Sequence, residues 1–460
     1  MAVNDGAVSL GDGIGLVLSE SRGTAMTVSE PRQLTGGASR QVWAAEAHYA
    51  DGQSLAVVLR RDPPGHGDAE RMRAEAACLR AAAAVGVPVP ALLASGDTAP
   101  GIDAPYLVMD MVQGESIPRK LQRDPELAEV RTHLAEDMGF VLGTIHRADV
   151  DTLGMLDVGD PLDALESVYR DLDDPRPAVE VGLRWLRENR PVKRPDALVH
   201  GDFRLGNVLV DGAGIRGVLD WELAHLGDPI EDLGWLCVRA WRFGAQPPVA
   251  GIGTREQLLD GYERATGTRP SDAELHWWET YGTLRWLVLS RFQAQRHLGG
   301  SENSIELAAI GRRVCESEYD LLLILGLLDG TEVPPGETTP GPSLHDRPSL
   351  SEILDLVAGT LRDDVAPVLD GAHDRERYLL RICVNLLGMA GRELGAEDRT
   401  RDLQDLLAAV GCVSEAELAG KIRAGSVAYT DPAVSRPIST AVLARLGVAN
   451  PRHLLPASRH

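Results

Sequence analysis

The sequence has little of what would place it outside a reducing, aqueous compartment. Only five cysteines occur in 460 residues, at positions 78, 237, 315, 383 and 412, and no two form a C-x-x-C pair. An odd, scattered set argues against both a disulfide framework and a zinc site. There is no run of 18 apolar residues, and the N-terminal stretch MAVNDGAVSLGDGIGLVLSE has no basic n-region. Neither secretion nor membrane spanning is expected, and a soluble cytoplasmic protein is. A basic excess is also missing: the net charge is −22, with −18 in residues 1–330 and −4 from Thr331 onward. That field repels nucleic acid and anionic membrane, and no Lys/Arg cluster offsets it. It would attract a cationic substrate, but general solubility accounts for it equally, because net charge says nothing about any one pocket.

What is present is an ordinary globular composition, 44% hydrophobic and 25% charged, in a chain long enough for two or three domains. Residues 1–25 are Gly-rich and weakly patterned, and read as a loose arm. Residues 26–112 have the texture of strands. QVWAAEAHYA and SLAVVLRRD flank an Asp51-Gly52 turn, a hairpin signal. The run DAERMRAEAACLRAAAAV predicts a helix stopped by Gly86 and Pro88, and PYLVMDMV predicts a further strand before Gly114. Helices dominate residues 113–328, as in the stripe Leu134, Met138, Val141, Leu142, Ile145. Residues 329–348 gather Pro, Gly and Thr without period, the composition of a linker. Beyond it Ser349-x-x-Glu352 forms a capping box ahead of apolar positions 350, 353, 354, 357, 361 and 365. A second stripe follows through Leu379, Ile382, Cys383, Leu386, Leu387, Ala390 and Leu394, so residues 349–460 read as a small all-helical domain. No internal repeat is visible.

One segment, HGDFRLGNVLVDGAGIRGVLDWELAHLGDP (His200 to Pro229), invites two readings. Gly212, Gly214 and Gly217 match G-x-G-x-x-G, the dinucleotide turn. That turn needs a helix opening on its last glycine to receive a pyrophosphate. Gly217 is instead followed by the strand-like VLDW, and the glycines read better as a hairpin turn. No Walker A sequence occurs. The polar residues fit phosphoryl transfer, which requires hard-oxygen metal ligands, a carboxylate beside the acceptor hydroxyl and donors around the phosphates. His200 to Asn207 has the spacing of the protein-kinase catalytic loop H-R-D-x-x-x-x-N. Asp202 then falls on the base and Asn207 on a metal ligand. Thirteen residues on, at the end of a short strand, Asp220 falls on the aspartate of D-F-G.

HGDFRLGNVLV…GVLDWELAHLGDPIEDLGWL resembles the aminoglycoside phosphotransferase (APH) family of small-molecule kinases over about residues 28–325. The subgroup it most resembles is related to the kinase-like domain of acyl-CoA dehydrogenase fusions. The tail resembles a helical accessory domain found beside such kinases. The resemblance implies an α+β, protein-kinase-like two-lobe fold: a small β-rich N-lobe at 26–112, a mainly helical C-lobe at 113–328, then the all-helical domain. It also implies ATP or GTP as co-substrate, Mg2+ as cofactor and a small-molecule hydroxyl as acceptor. On that basis Gly36, Gly37 and Ser39 cover the phosphates. Arg60 stands where the family usually has lysine, paired with Glu75, and Asp110, Met111 and Val112 form the adenine-binding hinge. Arginine there keeps the charge but changes reach and geometry.

Other residues stay open at this level. Arg204 lies where protein kinases carry a lysine toward the γ-phosphate, or is an exposed arginine without a role. Glu222 aids metal binding or does not. His200 reads as structural, Asp228 and Asp232 as loop-fixing carboxylates, and His146 as core. Trp235, Trp241, Trp277, Trp278 and Trp286 read mostly as core, with one or two at the acceptor pocket. Arg239, Arg242 and Arg285 could meet an anionic substrate or serve structural pairing. For the acceptor, the subgroup suggests a hydroxyacyl metabolite, whereas the acidic charge suits an aminoglycoside. A non-catalytic nucleotide-binding module that presents its tail to a partner is the rival class, and a homodimer through the tail fits either.

Overall fold

A computed structural model describes residues 8–34, 40–332, 349–369, 371–396 and 400–454. The chain divides into two units, Met1–Gly159 with Val192–Leu275, and Asp160–Pro191 with His276–His460.

In the first unit six antiparallel strands build one sheet: β1 (Met26–Val28), β2 (Arg32–Gln33), β3 (Gln41–Tyr49), β4 (Ser54–Arg61), β5 (Leu92–Gly96) and β6 (Tyr106–Asp110). Their order is β1-β3-β4-β6-β5, with β2 against β3. The β3–β4 pair is the hairpin that the two apolar runs and their turn predict, and Gly52 takes a positive φ of 86° in the turn. The helix Ala69–Ala84 begins at Asp68, whose carboxylate accepts the N–H groups of Glu70 and Arg71. It buries Met72, Ala76 and Leu79, and carries Glu75 inward with them.

The segment 1–25, expected as a loose arm, instead holds the helix Leu10–Arg22, between a Ser9 N-cap and Gly23 at φ 65°. Ile14, Val17 and Leu18 join Val57, Leu59, Ile102 and Val108 in the apolar core of the sheet. That i, i+3, i+4 spacing was in the sequence, obscured by Gly11, Gly13 and Gly15, which weaken helix propensity. Gly13 serves close approach: a Cβ there would collide with the Pro100 carbonyl oxygen.

The helix Leu134–Ile145 buries its predicted stripe and packs against the helix Arg255–Thr266. Beyond it lie β7 (Ala197–Val199), β8 (Val208–Asp211), β9 (Gly214–Val218) and β10 (His225–Gly227). Here β8 and β9 form the hairpin that carries the G-x-G-x-x-G run, while β10 pairs with β7. The helix Ile230–Cys237 follows directly.

The second unit is helical. Ser349 and Glu352 form the expected capping box at the start of the helix Leu350–Thr360. The apolar stripes read at the start of the tail are only partly covered, with Leu350 and Leu394 more than half exposed. The buried cluster lies further on, where Leu418, Ile422, Val434, Ile438, Val442 and Leu446 pack with Val181, Tyr319 and Leu322. Two buried carboxylates tie the same helices together. Glu180 receives Arg170 and Arg423, the latter at 2.6 Å, and Glu318 receives Arg176 at 3.3 Å and Arg445 at 3.5 Å. The linker expected at 329–348 lies outside the described residues from 333 onward. No described helix is long and apolar enough to cross a membrane.

All five cysteines are free thiols, and burial pushes Cys78 and Cys315 up to about 12, so neither is a nucleophile at neutral pH.

Candidate active site

The segment leaving β7 turns at Gly201, φ 78°, where any Cβ would run into the Leu223 carbonyl oxygen. Glycine is required there on both counts. His200 is fully buried. Its Nε2 lies 2.9 Å from the Leu219 carbonyl oxygen and its Nδ1 accepts the Asp202 N–H at 3.2 Å. These partners place the ring proton on Nε2 and give the imidazole a structural task.

The loop hangs from Asp232. Its Oδ2 accepts the His200 N–H at 2.8 Å, its Oδ1 accepts the Gly201 N–H at 2.9 Å, and His146 Nε2 lies 3.1 Å from Oδ2. Burial pushes this carboxyl up, but the hydrogen bond and charge of His146, with His200, outweigh it and hold the pKa below its ordinary value. Asp228 fixes the neighbouring turn through the N–H groups of Ile230 and Arg194, each at 3.0 Å.

Suspended this way, Asp202 receives three side-chain donors. Arg204 Nε lies 3.1 Å from both carboxylate oxygens, Trp235 Nε1 donates to Oδ1 at 3.0 Å, and Asn207 Nδ2 donates to Oδ2 at 2.8 Å. The Arg204 guanidinium also lies 5.2 Å from the Trp241 ring centroid, a cation–π distance. Asn207 Nδ2 also donates to the Asp202 carbonyl oxygen, so the amide nitrogen is committed to Asp202 and the acceptor of this side chain is Oδ1.

Asp220 follows β9 with φ 65°, a left-handed conformation that costs a non-glycine residue energy and clusters at functional sites. Arg60, on β4, reaches it. Its Nη2 lies 2.8 Å from Asp220 Oδ1 and 2.9 Å from Glu222 Oε2, while Nη1 pairs with Glu75. One planar fork thus meets three carboxylates through its two terminal nitrogens. Burial works to lower the Arg60 pKa, but Glu75, Asp220 and Glu222 outweigh it and hold it above its ordinary value. Burial pushes Glu75 up, against Arg60 and Arg40.

The structure therefore brings Asp202, Arg204 and Asn207 together, and Arg60, Glu75, Asp220 and Glu222 together. Asp110, Met111 and Val112 end β6 and continue past it. Asp110 N–H goes to the Ala91 carbonyl oxygen and Met111 N–H to that of Ala56, so of these three Val112 is the one whose N–H the sheet does not use. Gly36, Gly37 and Ser39 lie outside the described residues. The reading of the sequence missed Arg40, which pairs with Glu75 and, through Nε at 3.0 Å, with Asp62. Its signal was an arginine directly after the Gly36-Gly37-x-Ser39 run. It also left Trp235 within a general aromatic set. Trp277 and Trp278 of that set are buried in the second unit. Among the described residues no group of three or more His, Cys, Asp or Glu could hold a metal. Asp220 and Glu222 carry carboxylate oxygens and Asn207 an amide oxygen, hard donors of the kind that would hold Mg2+.

Comparison with known proteins shows the family to which the chain belongs. The model of the phosphotransferase enzyme family (APH) matches residues 30–275, and a domain of unknown function (DUF6285) matches residues 370–453. The first match spans more than half the chain, which belongs to the phosphotransferase enzyme family. Mouse acyl-CoA dehydrogenase family member 10 is 30% identical over 212 residues, 43% of this chain and 19% of that protein. Rat acyl-CoA dehydrogenase family member 11 is 27% identical over 282 residues, 55% of this chain and 35% of that protein. The chain thus matches about a fifth to a third of the length of these curated relatives. A crystal structure from Ralstonia eutropha JMP134, provisionally named an aminoglycoside phosphotransferase, superposes with a TM-score of 0.55 at 20% identity, over 68% of this chain and 98% of that one. This likeness shows the fold: kinase-like, α+β, with the β-sheet first and a helical remainder. The family resemblance read from HGDFRLGN and its surroundings holds, and the protein is a phosphotransferase.

Proposed function

We propose that the protein transfers the γ-phosphoryl group of ATP or GTP to a hydroxyl of a small molecule, with Asp202 on the acceptor side. The observation that carries this reading is the convergence of Asp202 and Asn207 on one loop, with Asp220 and Glu222 gathered around a cationic fork. Asp202 orients the acceptor hydroxyl and takes its proton late. In a loose transition state positioning counts for more than basicity. Arg204, next to Asp202, and Arg60, held by Glu75, supply cationic donors to the triphosphate. Asn207, Asp220 and Glu222 would hold Mg2+, which when bound neutralises charge on the phosphates. Val112 offers its backbone to the adenine, with Asp110 and Met111 fixing the turn.

For the acceptor we favour a hydroxyacyl metabolite over an antibiotic. The support is that relatives of 30% and 27% identity carry acyl-CoA dehydrogenase names. An anionic acceptor requires local cations against the overall charge of −22, and Arg204, Arg239 and Arg242 are close in sequence to the acceptor carboxylate or its supporting helix. Retention of Asp202, Asn207 and Asp220 together disfavours a non-catalytic module.

The test is a thermal melt with Mg·ATP or Mg·GTP, on the parent and on Asp220→Asn. Nucleotide at about 100 Kd adds roughly 2.7 kcal/mol, several degrees. A metal-dependent shift that Asp220→Asn abolishes supports the site, and no shift with either nucleotide refutes it. Phosphate transfer to a panel of hydroxyacyl-CoAs and aminoglycosides then decides the acceptor. Activity on aminoglycosides alone would reject our preference.

A further inference from the structure

Three side chains hold the Asp202 carboxylate, and they differ in what else is asked of them. Arg204 is 28% exposed at the end of a flexible stem, and Asn207 has an oxygen suited to a metal. Under the proposed function both have duties toward the nucleotide. Trp235 has none. It is 3% exposed, its ring centroid lies 5.0 Å from that of Trp241, and its single donor points at Asp202 Oδ1. Trp235 also sits three residues after Asp232, on the helix Ile230–Cys237. One helix therefore supports the loop twice, through the backbone of His200 and Gly201 and through the side chain of Asp202.

The torsion that turns a carboxylate about its Cβ–Cγ bond is broad and two-fold, so an aspartate on an ordered loop still leaves its oxygens free to rotate. Pinning one oxygen fixes the other. An indole suits that task, since its donor is rigid with the ring and cannot also accept.

We propose that Trp235 is a positioning residue for phosphoryl transfer: its indole N–H fixes the orientation of the Asp202 carboxylate toward the acceptor hydroxyl. This rests on the reading of Asp202 as the acceptor-side carboxylate. Loss of alignment at such a group costs rate more than nucleotide binding, because under the proposed function the nucleotide is held by Arg60, Arg204 and the metal donors.

The test uses the full chain and ADP release from Mg·ATP with water as acceptor. Trp235→Phe keeps an aromatic ring and deletes the N–H; benzothienylalanine at 235 deletes it with the shape of the ring kept. Either should lower kcat roughly tenfold or more, with the KM for Mg·ATP and the nucleotide-induced melting shift unchanged. In an Asp202→Ala background the same substitution should cost nothing further, the signature of action through Asp202. An equal loss in both backgrounds, or a rise in KM matching the fall in kcat, overturns the proposal. A readout independent of turnover is the 15N–1H resonance of the Trp235 indole, which should move upfield in Asp202→Ala; an unmoved resonance also overturns it. Asp202→Ala retaining the full rate, with the indole resonance still moved, would instead sink the acceptor-side reading of Asp202.

Discussion

Replacing Asp232 with asparagine exchanges one carboxylate oxygen for an NH2 group of nearly equal size, which isolates the electrostatics of the catalytic loop from its packing. The carboxylate has no exposed surface, and its two oxygens take three donors: His200 N–H at 2.8 Å, Gly201 N–H at 2.9 Å and His146 Nε2 at 3.1 Å. Asparagine has one acceptor oxygen. With that oxygen in the place of Oδ2, the bonds to His200 and His146 survive and the NH2 group faces the Gly201 N–H. With it in the place of Oδ1, the bond to Gly201 survives and the NH2 group faces the His200 N–H. Either way a backbone N–H is left against another donor at a fully buried position. A lost hydrogen bond to a charged group is worth roughly 1.5 to 3 kcal/mol and the stranded donor about 1 to 3 more, so the expected cost is about 2.5 to 6 kcal/mol.

The readout is urea unfolding followed by tryptophan fluorescence, alongside ADP release. Asp232→Asn should unfold at clearly lower urea and lose turnover, because the amides it releases belong to the two residues before Asp202. His146→Gln should cost less, since the carboxylate keeps both backbone donors. An Asp232→Asn protein within about 0.5 kcal/mol of the parent and fully active would refute the claim that this carboxylate suspends the loop.

Where the sequence was legible, the signal was local and its physical reason short-ranged. The β3–β4 hairpin, the helix Ala69–Ala84 and the β8–β9 hairpin follow from periodicity and turn chemistry within some twenty residues. The grouping of Asp202 with Asn207 is likewise a matter of loop spacing. What was hidden depends on contacts distant in sequence. Arg60 meets Asp220 and Glu222 across 160 and 162 positions, and Trp235 meets Asp202 across 33. The helix Leu10–Arg22 was obscured because Gly13 answers to close contact with Pro100, and Gly15 to the Met26 carbonyl oxygen, rather than to helix propensity. In the tail the conspicuous stripes at 350–365 and 379–394 drew attention, yet the buried cluster uses residues 407–454, whose partners Val181, Tyr319 and Leu322 lie far earlier in the chain.

Arg60→Met should let MgCl2 alone raise the melting temperature more than in the parent, because Asp220 and Glu222 lose the cation that now neutralises them. Equal shifts in the two proteins would show that Arg60 does not compete for that pair. For pH dependence, Arg194 Nε at 2.8 Å holds the Glu274 pKa at about 2, assisted by Ser271 and opposed by burial. A pKa depressed on folding stabilises above the unfolded value and is lost as pH falls, so this contribution fades from about pH 4.5 towards pH 2. Arg194→Met should therefore be less stable than the parent at pH 6 and converge with it near pH 2; a gap that persists there would exclude this pair as its source. Glu180, buried and shared by Arg170 and Arg423, should show strong coupling. Either arginine replaced by methionine leaves the carboxylate one partner, at about 1 kcal/mol, whereas both replaced together strand a buried charge at about 3 to 5 kcal/mol. Adding Glu180→Gln to the double variant should recover most of that loss in a urea melt, since the neutral amide removes the unpaired charge. Additive single costs, or no recovery, would mean that the tail is not held to Glu180 by charge.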